Sequence, residues 1–164
     1  MNAQNKEKFM FFAKVTLAHV ITYIAAGLIS FNLIYFNYID QLTEILGFKP
    51  MDQISFPTMI FGQIIRGILL GIVIWWIKDS IFKTKLAWLK LWAILVILGI
   101  FNTYGPTPGS IEGFIYLDTS GFEGMPLIMN LSVLEVLMQP LLFSIIVCIN
   151  WKELKNKKGF RHKI

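Results

Sequence analysis

Charge is what this chain has least of. Among its 164 residues, 15 are Lys or Arg and 10 are Asp or Glu, so charged residues make up 15% of the chain, against about 25% in an ordinary soluble domain. That leaves too little polar surface to cover a water-exposed globule. A hydrophobic share of 55% excludes intrinsic disorder, which needs low hydrophobicity and high net charge. One cysteine, Cys148, excludes both a disulfide framework and CxxC-type thiol–disulfide exchange. Two histidines are present, but only His19 lies in an apolar stretch while His162 sits in the basic tail, so a bis-imidazole haem site is excluded. No HExxH, CxxC, GxGxxG or Walker pattern occurs, which sets aside zinc proteases and nucleotide-driven machines. No set of Ser, His and Asp shares one depth for a triad. No metal or cofactor is therefore expected. The net charge of +5 does not indicate nucleic-acid binding, because the basic residues stand at the ends of apolar runs.

What the chain does have is long apolar runs. A helix needs roughly 20 apolar residues to cross a hydrocarbon core, and four segments are candidates. Val15 to Ile39 carries no charge, Gln53 to Ile77 carries only Arg66, Leu91 to Ile111 carries none, and Gly124 to Trp151 carries only Glu135. Continuous rather than alternating hydrophobicity favours helices over a barrel. The expected fold is an all-α, single-domain membrane four-helix bundle with spans at about 11–36, 56–77, 87–103 and 126–150. Outer loops then occupy 37–55 and 104–125, and a basic tail covers 151–164. At about 25 residues, the first run exceeds the 7–15 of a signal-peptide core and reads as a retained helix.

Charge between the spans sets the expected orientation. The N-terminal segment (Lys6, Glu7, Lys8, Lys14) is net +2 and the first loop (Asp40, Glu44, Lys49, Asp52) net −2. The middle loop (Lys78, Asp79, Lys83, Lys85, Lys90) is net +3, the third loop (Glu112, Asp118, Glu123) net −3, and the tail net +5. Basic residues collect in cytoplasmic loops, which predicts both termini inside, in a plasma (inner) membrane. Trp75, Trp76, Trp88, Trp92 and Trp151 fall at the predicted inner ends of spans, and Tyr35, Tyr38, Tyr104 and Tyr116 at or beyond the outer ends, as interfacial aromatics should.

Polar residues inside the spans are the candidate site. A charge at the bilayer centre costs about 2.5–3.5 kcal/mol on insertion scales, so it faces the bundle interior with a partner. Arg66 and Glu135 each lie nine residues past a proline, Pro57 and Pro126. By that count they are level and can form an ion pair; counted from the inner Trp residues, they differ by about 9 Å at 1.5 Å per residue. Gln63 shares a face with Arg66, and Gln139 with Glu135. His19, Thr22, Tyr23, Ala26 and Ser30 form a stripe of polar or small residues on the first span. Pro140 removes a backbone hydrogen bond to Val136 and is expected to kink the last span beside Glu135. Each residue also has a plainer reading. The ion pair can simply set helix register, His19 can be a packing histidine, and the glutamines can hydrogen-bond between helices. Gly67 and Gly71 form a GxxxG pair, a signal for close helix packing within the chain or in a homo-oligomer.

The third loop is rich in Gly and Pro, and Thr107-Pro108 reads as the start of a short interfacial helix running to about Leu117. Glu112 and Glu123 are candidates at the mouth of an outward-opening cavity, or are solvated carboxylates. Three functions fit these features. The first is a small protein that binds or translocates a polar or amphiphilic ligand at mid-membrane through Arg66, Glu135, His19, Gln63, Gln139 and Tyr23. The second is an accessory, immunity or sensor protein with a structural ion pair and another membrane protein as partner. The third is a membrane-embedded enzyme acting on a lipid, isoprenoid or quinone-like substrate, with Glu135 or His19 as acid/base. The lipid bilayer is the common partner.

Overall fold

The computed structural model describes the backbone of residues 3–33, 53, 55–101, 115 and 125–161, and side chains within 5–33, 53, 55–99, 115 and 133–152. Four helices account for nearly all of it, and no strand occurs among the described residues. They are α1 (Ala3–Leu33), α2 (Phe56–Phe82), α3 (Ala87–Val96, continued by the π-helical turn Ile97–Phe101) and α4 (Met125–Arg161). The outer loops, the expected interfacial helix, Glu112 and Glu123 lie outside the described residues, apart from isolated positions of those loops.

Three helices are long and apolar enough to cross a membrane: Asn5–Leu33, Phe56–Phe82 and Val133–Lys152. At 1.5 Å per residue, the 27 residues of α2 span about 40 Å, against a hydrocarbon core of about 30 Å. The fourth, Ala87–Gly99, is apolar but shorter. Large apolar side chains stand exposed along α2, among them Phe61, Ile65, Leu69 and Val73. Such a surface promotes aggregation in water and costs nothing against acyl chains. The chain is an integral membrane protein.

Helix ends follow local chemistry. Ser55 takes an extended conformation before α2, and Pro57 sits in the first turn, where its missing N–H is not needed. At the other end, Thr84 closes the helix, its backbone N–H and its hydroxyl both donating to the Ile81 carbonyl, at 3.3 and 2.8 Å. Only residues 83–86 separate α2 from α3, and the Lys90 ammonium donates to the Ser80 carbonyl at 2.8 Å across that turn. Helix α1 begins at Ala3, eight residues before the predicted span, because Lys6, Glu7 and Lys8 are good helix formers and need no apolar environment. Similarly, α4 runs on to Arg161 through much of the basic tail. It also continues through Pro140.

Helix α1 packs on α2 and α4, and α3 packs on α4 and, less extensively, on α2. Contacts at successive levels fix the directions. Along α1, His19, Thr16 and Phe12 meet Gln63, Gly67 and Gly71 in turn, so α1 and α2 are antiparallel. Likewise His19 meets Gln139 and Phe11 meets Trp151, so α1 and α4 are antiparallel and α2 and α4 parallel. The close approach predicted from the glycine pair is made within the chain: Gly67 and Gly71 are buried against α1. The core holds Phe11, Val15 and Ala18 of α1, Ile74 and Ile81 of α2, Leu91 of α3, and Phe143 and Val147 of α4.

The tryptophans at these helix ends divide by their surroundings. Trp76 is 77% exposed and suits an interfacial position. Trp151 is buried, stacked on Phe82 at 4.6 Å and edge-on to Phe11 at 5.5 Å, with Trp75 joining the same cluster. Such aromatic pairs contribute about 0.5–1.5 kcal/mol beyond area burial, enough to draw an indole inward. Trp92 also turns inward, for the reason given below.

Candidate functional site

His19 is the hub of the polar residues. The imidazole is 4% exposed, with Nε2 3.1 Å from the Gln63 side-chain oxygen and Nδ1 3.5 Å from the Gln139 side-chain nitrogen. One neutral tautomer satisfies both contacts: Nε2–H donates to Gln63, and the Nδ1 lone pair accepts from Gln139. One ring therefore ties α1 to α2 and α4. Phe143 lies edge-on to it at 5.9 Å, and the Tyr23 ring is 6.4 Å away. The predicted stripe on α1 does face inward, with His19, Thr22, Ala26 and Ser30 all buried. The Thr22 hydroxyl donates to the carbonyls of Ala18 and His19 on its own helix, at 2.9 and 3.2 Å, so it carries no interhelical load.

Beside this hub lies a partly open cavity of about 260 Å³. Its polar lining is His19, Tyr23, Arg66, Glu135 and Gln139; its apolar lining comes from Ala26, Leu70, Leu95, Val136, Pro140 and Phe143, with Gly99 in the π-helical turn. Five of the six predicted span residues thus share one chamber. The sixth, Gln63, stands behind it as the hydrogen-bond partner of His19. Among the described residues, Arg66 has neither a hydrogen-bond nor a salt-bridge partner, and it is exposed while also lining the cavity. No group of three or more His, Cys, Asp or Glu suited to a metal occurs among the described residues.

Sequence reasoning missed the contribution of α3. Leu95 and Gly99 close the cavity on that side, and the Trp92 indole N–H donates to the Leu137 carbonyl at 3.0 Å. Leu137 follows Val136, whose carbonyl Pro140 deprives of its helical donor. Trp92 thus ties α3 to α4 at the carbonyl next to the one that Pro140 leaves without a donor. The available signal was the proline, which called for a donor on a facing helix. At Gly99 the π-helical turn brings backbone to the chamber without a side chain; π turns often occur at sites.

Compared with protein-family models, curated proteins and solved structures, the chain matches none. The functional reading therefore rests on the chamber itself.

Proposed function

We propose that this is a small polytopic membrane protein that binds, and by extension translocates, a small polar or amphiphilic ligand in the chamber between α1, α2, α3 and α4. The observation that carries the reading is the convergence of Arg66, Glu135, His19, Tyr23 and Gln139 on one cavity. In this reading the four helices form a four-span bundle with both termini cytoplasmic. Arg66 supplies a fixed positive charge that binds an anionic or polar group, with Glu135 balancing it or carrying a proton. His19 and Gln139 line the wall.

Magnitudes support binding over a purely structural ion pair. Two charges held in a bilayer cost about 2.5–3.5 kcal/mol each on insertion scales, and a pair that only sets register gains little over apolar packing. The volume of about 260 Å³ is just under the roughly 300–1,000 Å³ of common ligand pockets, which suits a compact solute or part of a headgroup. In the enzyme alternative the acid/base role passes to Glu135, because both His19 ring nitrogens are engaged by glutamines.

The test is thermal stability of the purified full chain against a panel of small anions, cations and zwitterions. A compound present at 100 times its Kd stabilises by about 2.7 kcal/mol. At least one class is expected to raise the Tm of the wild type and to lose that effect in Arg66→Gln or Glu135→Gln. Stabilisation by none of the panel, or equal stabilisation of the variants, contradicts the reading.

A further inference from the structure

We infer that the ligand is an anionic lipid, which enters the chamber sideways from the bilayer between α2 and α3 and sets its phosphate head on Arg66. This rests on the reading of the chamber as a binding site and specifies both the occupant and its route. The first support is the position of the mouth. Of the residues that line the chamber only two are exposed, Arg66 on α2 and Gly99 in the π-helical turn that continues α3. Among the neighbouring helix pairs, α2 and α3 also pack least extensively. The mouth therefore lies between these two helices, on the side of the bundle.

The second support is depth. Arg66 stands ten residues beyond Phe56 and 16 before Phe82, which is about 15 and 24 Å along the axis. A hydrocarbon core of about 30 Å centred on α2 leaves this position well inside its nearer face. An exposed arginine at that depth is tolerated by drawing water and lipid headgroups to it, so polar groups reach the chamber through the same mouth.

The third support is charge. Arg66 has neither a hydrogen-bond nor a salt-bridge partner among the described residues, whereas Glu135 already has a partner in the structure. Gln63 and Gln139 meet the same imidazole; Arg66 lies three residues beyond the first and Glu135 four before the second, on parallel helices. Seven residues at 1.5 Å separate the two charged positions by about 10 Å along the axes, which leaves room for an anion on the guanidinium. Arginine matches the oxygens of a phosphate, and basic pockets between membrane helices suit anionic headgroups. Leu69 and Val73, three and seven residues beyond Arg66 on the same face, are exposed, as are Ile97 and Leu98 beside Gly99. They offer the acyl chains an apolar surface outside the mouth.

Titration calorimetry on the full chain in a non-ionic detergent tests this, with short-chain phosphatidylglycerol, short-chain phosphatidylcholine and glycerophosphate as probes. Phosphatidylglycerol is expected to bind at least tenfold more tightly than either of the others, and Arg66→Gln to reduce it to the level of phosphatidylcholine. Nothing lies within 4 Å of a Cβ on Gly99, so Gly99→Leu is expected to keep the wild-type Tm while its side chain obstructs the mouth and weakens phosphatidylglycerol at least tenfold. Phosphatidylcholine binding as tightly as phosphatidylglycerol overturns the anionic head. Glycerophosphate binding as tightly overturns the lipid but leaves the chamber as a site for a water-soluble solute. Undiminished phosphatidylglycerol affinity in Gly99→Leu overturns the lateral route. Failure of phosphatidylglycerol to bind overturns the inference as a whole, and the wider solute panel then decides whether the chamber binds anything. The wild-type comparison of probes needs no variant to fold.

Discussion

At the scale of single residues, two buried polar side chains have opposite standing. His19 makes two interhelical contacts, while the Ser144 hydroxyl is fully buried and has no hydrogen-bond partner among the described residues. A polar contact between membrane helices contributes about 0.6 kcal/mol and at most about 1.7, and truncation of a buried ring adds a cavity. His19→Ala is therefore expected to cost about 1–3 kcal/mol, whereas Ser144→Ala leaves stability unchanged or raises it. Reversible unfolding in mixed micelles measures both. Equal losses would show that His19 acts only by filling volume. His19 also marks the limit of reading residues from sequence: its membership of the polar stripe was legible from helical spacing, but its two partners were not, because spacing gives a face and not the rotamer or neighbour that meets it.

At the scale of the element, α2 shows how one helix serves two surfaces. Gly67 and Gly71 lie against α1, where a Cβ on Gly67 would stand 2.8 Å from the Thr16 Cα and one on Gly71 would stand 3.2 Å from a Phe12 ring carbon. Nothing lies within 4 Å of a Cβ on Gly62. Because backbone cannot yield as a flexible side-chain end can, Gly67→Ala must push the two helices apart, at about 1–3 kcal/mol. Gly62→Ala is expected to be neutral or to stabilise by up to about 1 kcal/mol through helix propensity. A Tm series in one detergent distinguishes the two, and parallel losses at both positions would contradict the packing described. The motif announced close approach from sequence alone; that the approach is to α1 required the fold. The reverse held for α3. Its role at the chamber, through Leu95, Gly99 and the Trp92 bond to Leu137, left no pattern on its own sequence, which is simply apolar.

At the scale of the whole molecule, helical class and membrane residence were legible because they depend on composition summed over long windows: few charges, and runs the length of a bilayer. Three described helices meet that length and a fourth apolar helix is shorter. Which side each loop occupies depends on the charge pattern, and the proposed arrangement has both termini cytoplasmic. Reporter fusions in the middle turn near Lys85 and at the C-terminus are expected to report the cytoplasm, with a fusion in the loop 37–55 reporting the outside. A cytoplasmic signal from that loop would contradict the arrangement. The Arg66–Glu135 register illustrates what only the assembled molecule provides. Counting from the prolines made the two charges level, and counting from the inner tryptophans separated them. Both glutamines meeting one imidazole supports the second count.

The proposed function requires a polar chamber within the membrane helices that small solutes reach. Cysteine accessibility tests it most directly, since thiol reagents of the methanethiosulfonate type need water to react. In a Cys148→Ser background, Val136→Cys places a thiol on the chamber wall and Leu69→Cys places one on the exposed apolar face of α2. A small cationic methanethiosulfonate is expected to modify Val136→Cys in intact membranes at least tenfold faster than Leu69→Cys. Equal, negligible modification of both would mean that the chamber is closed to water and would rule out binding of solutes there.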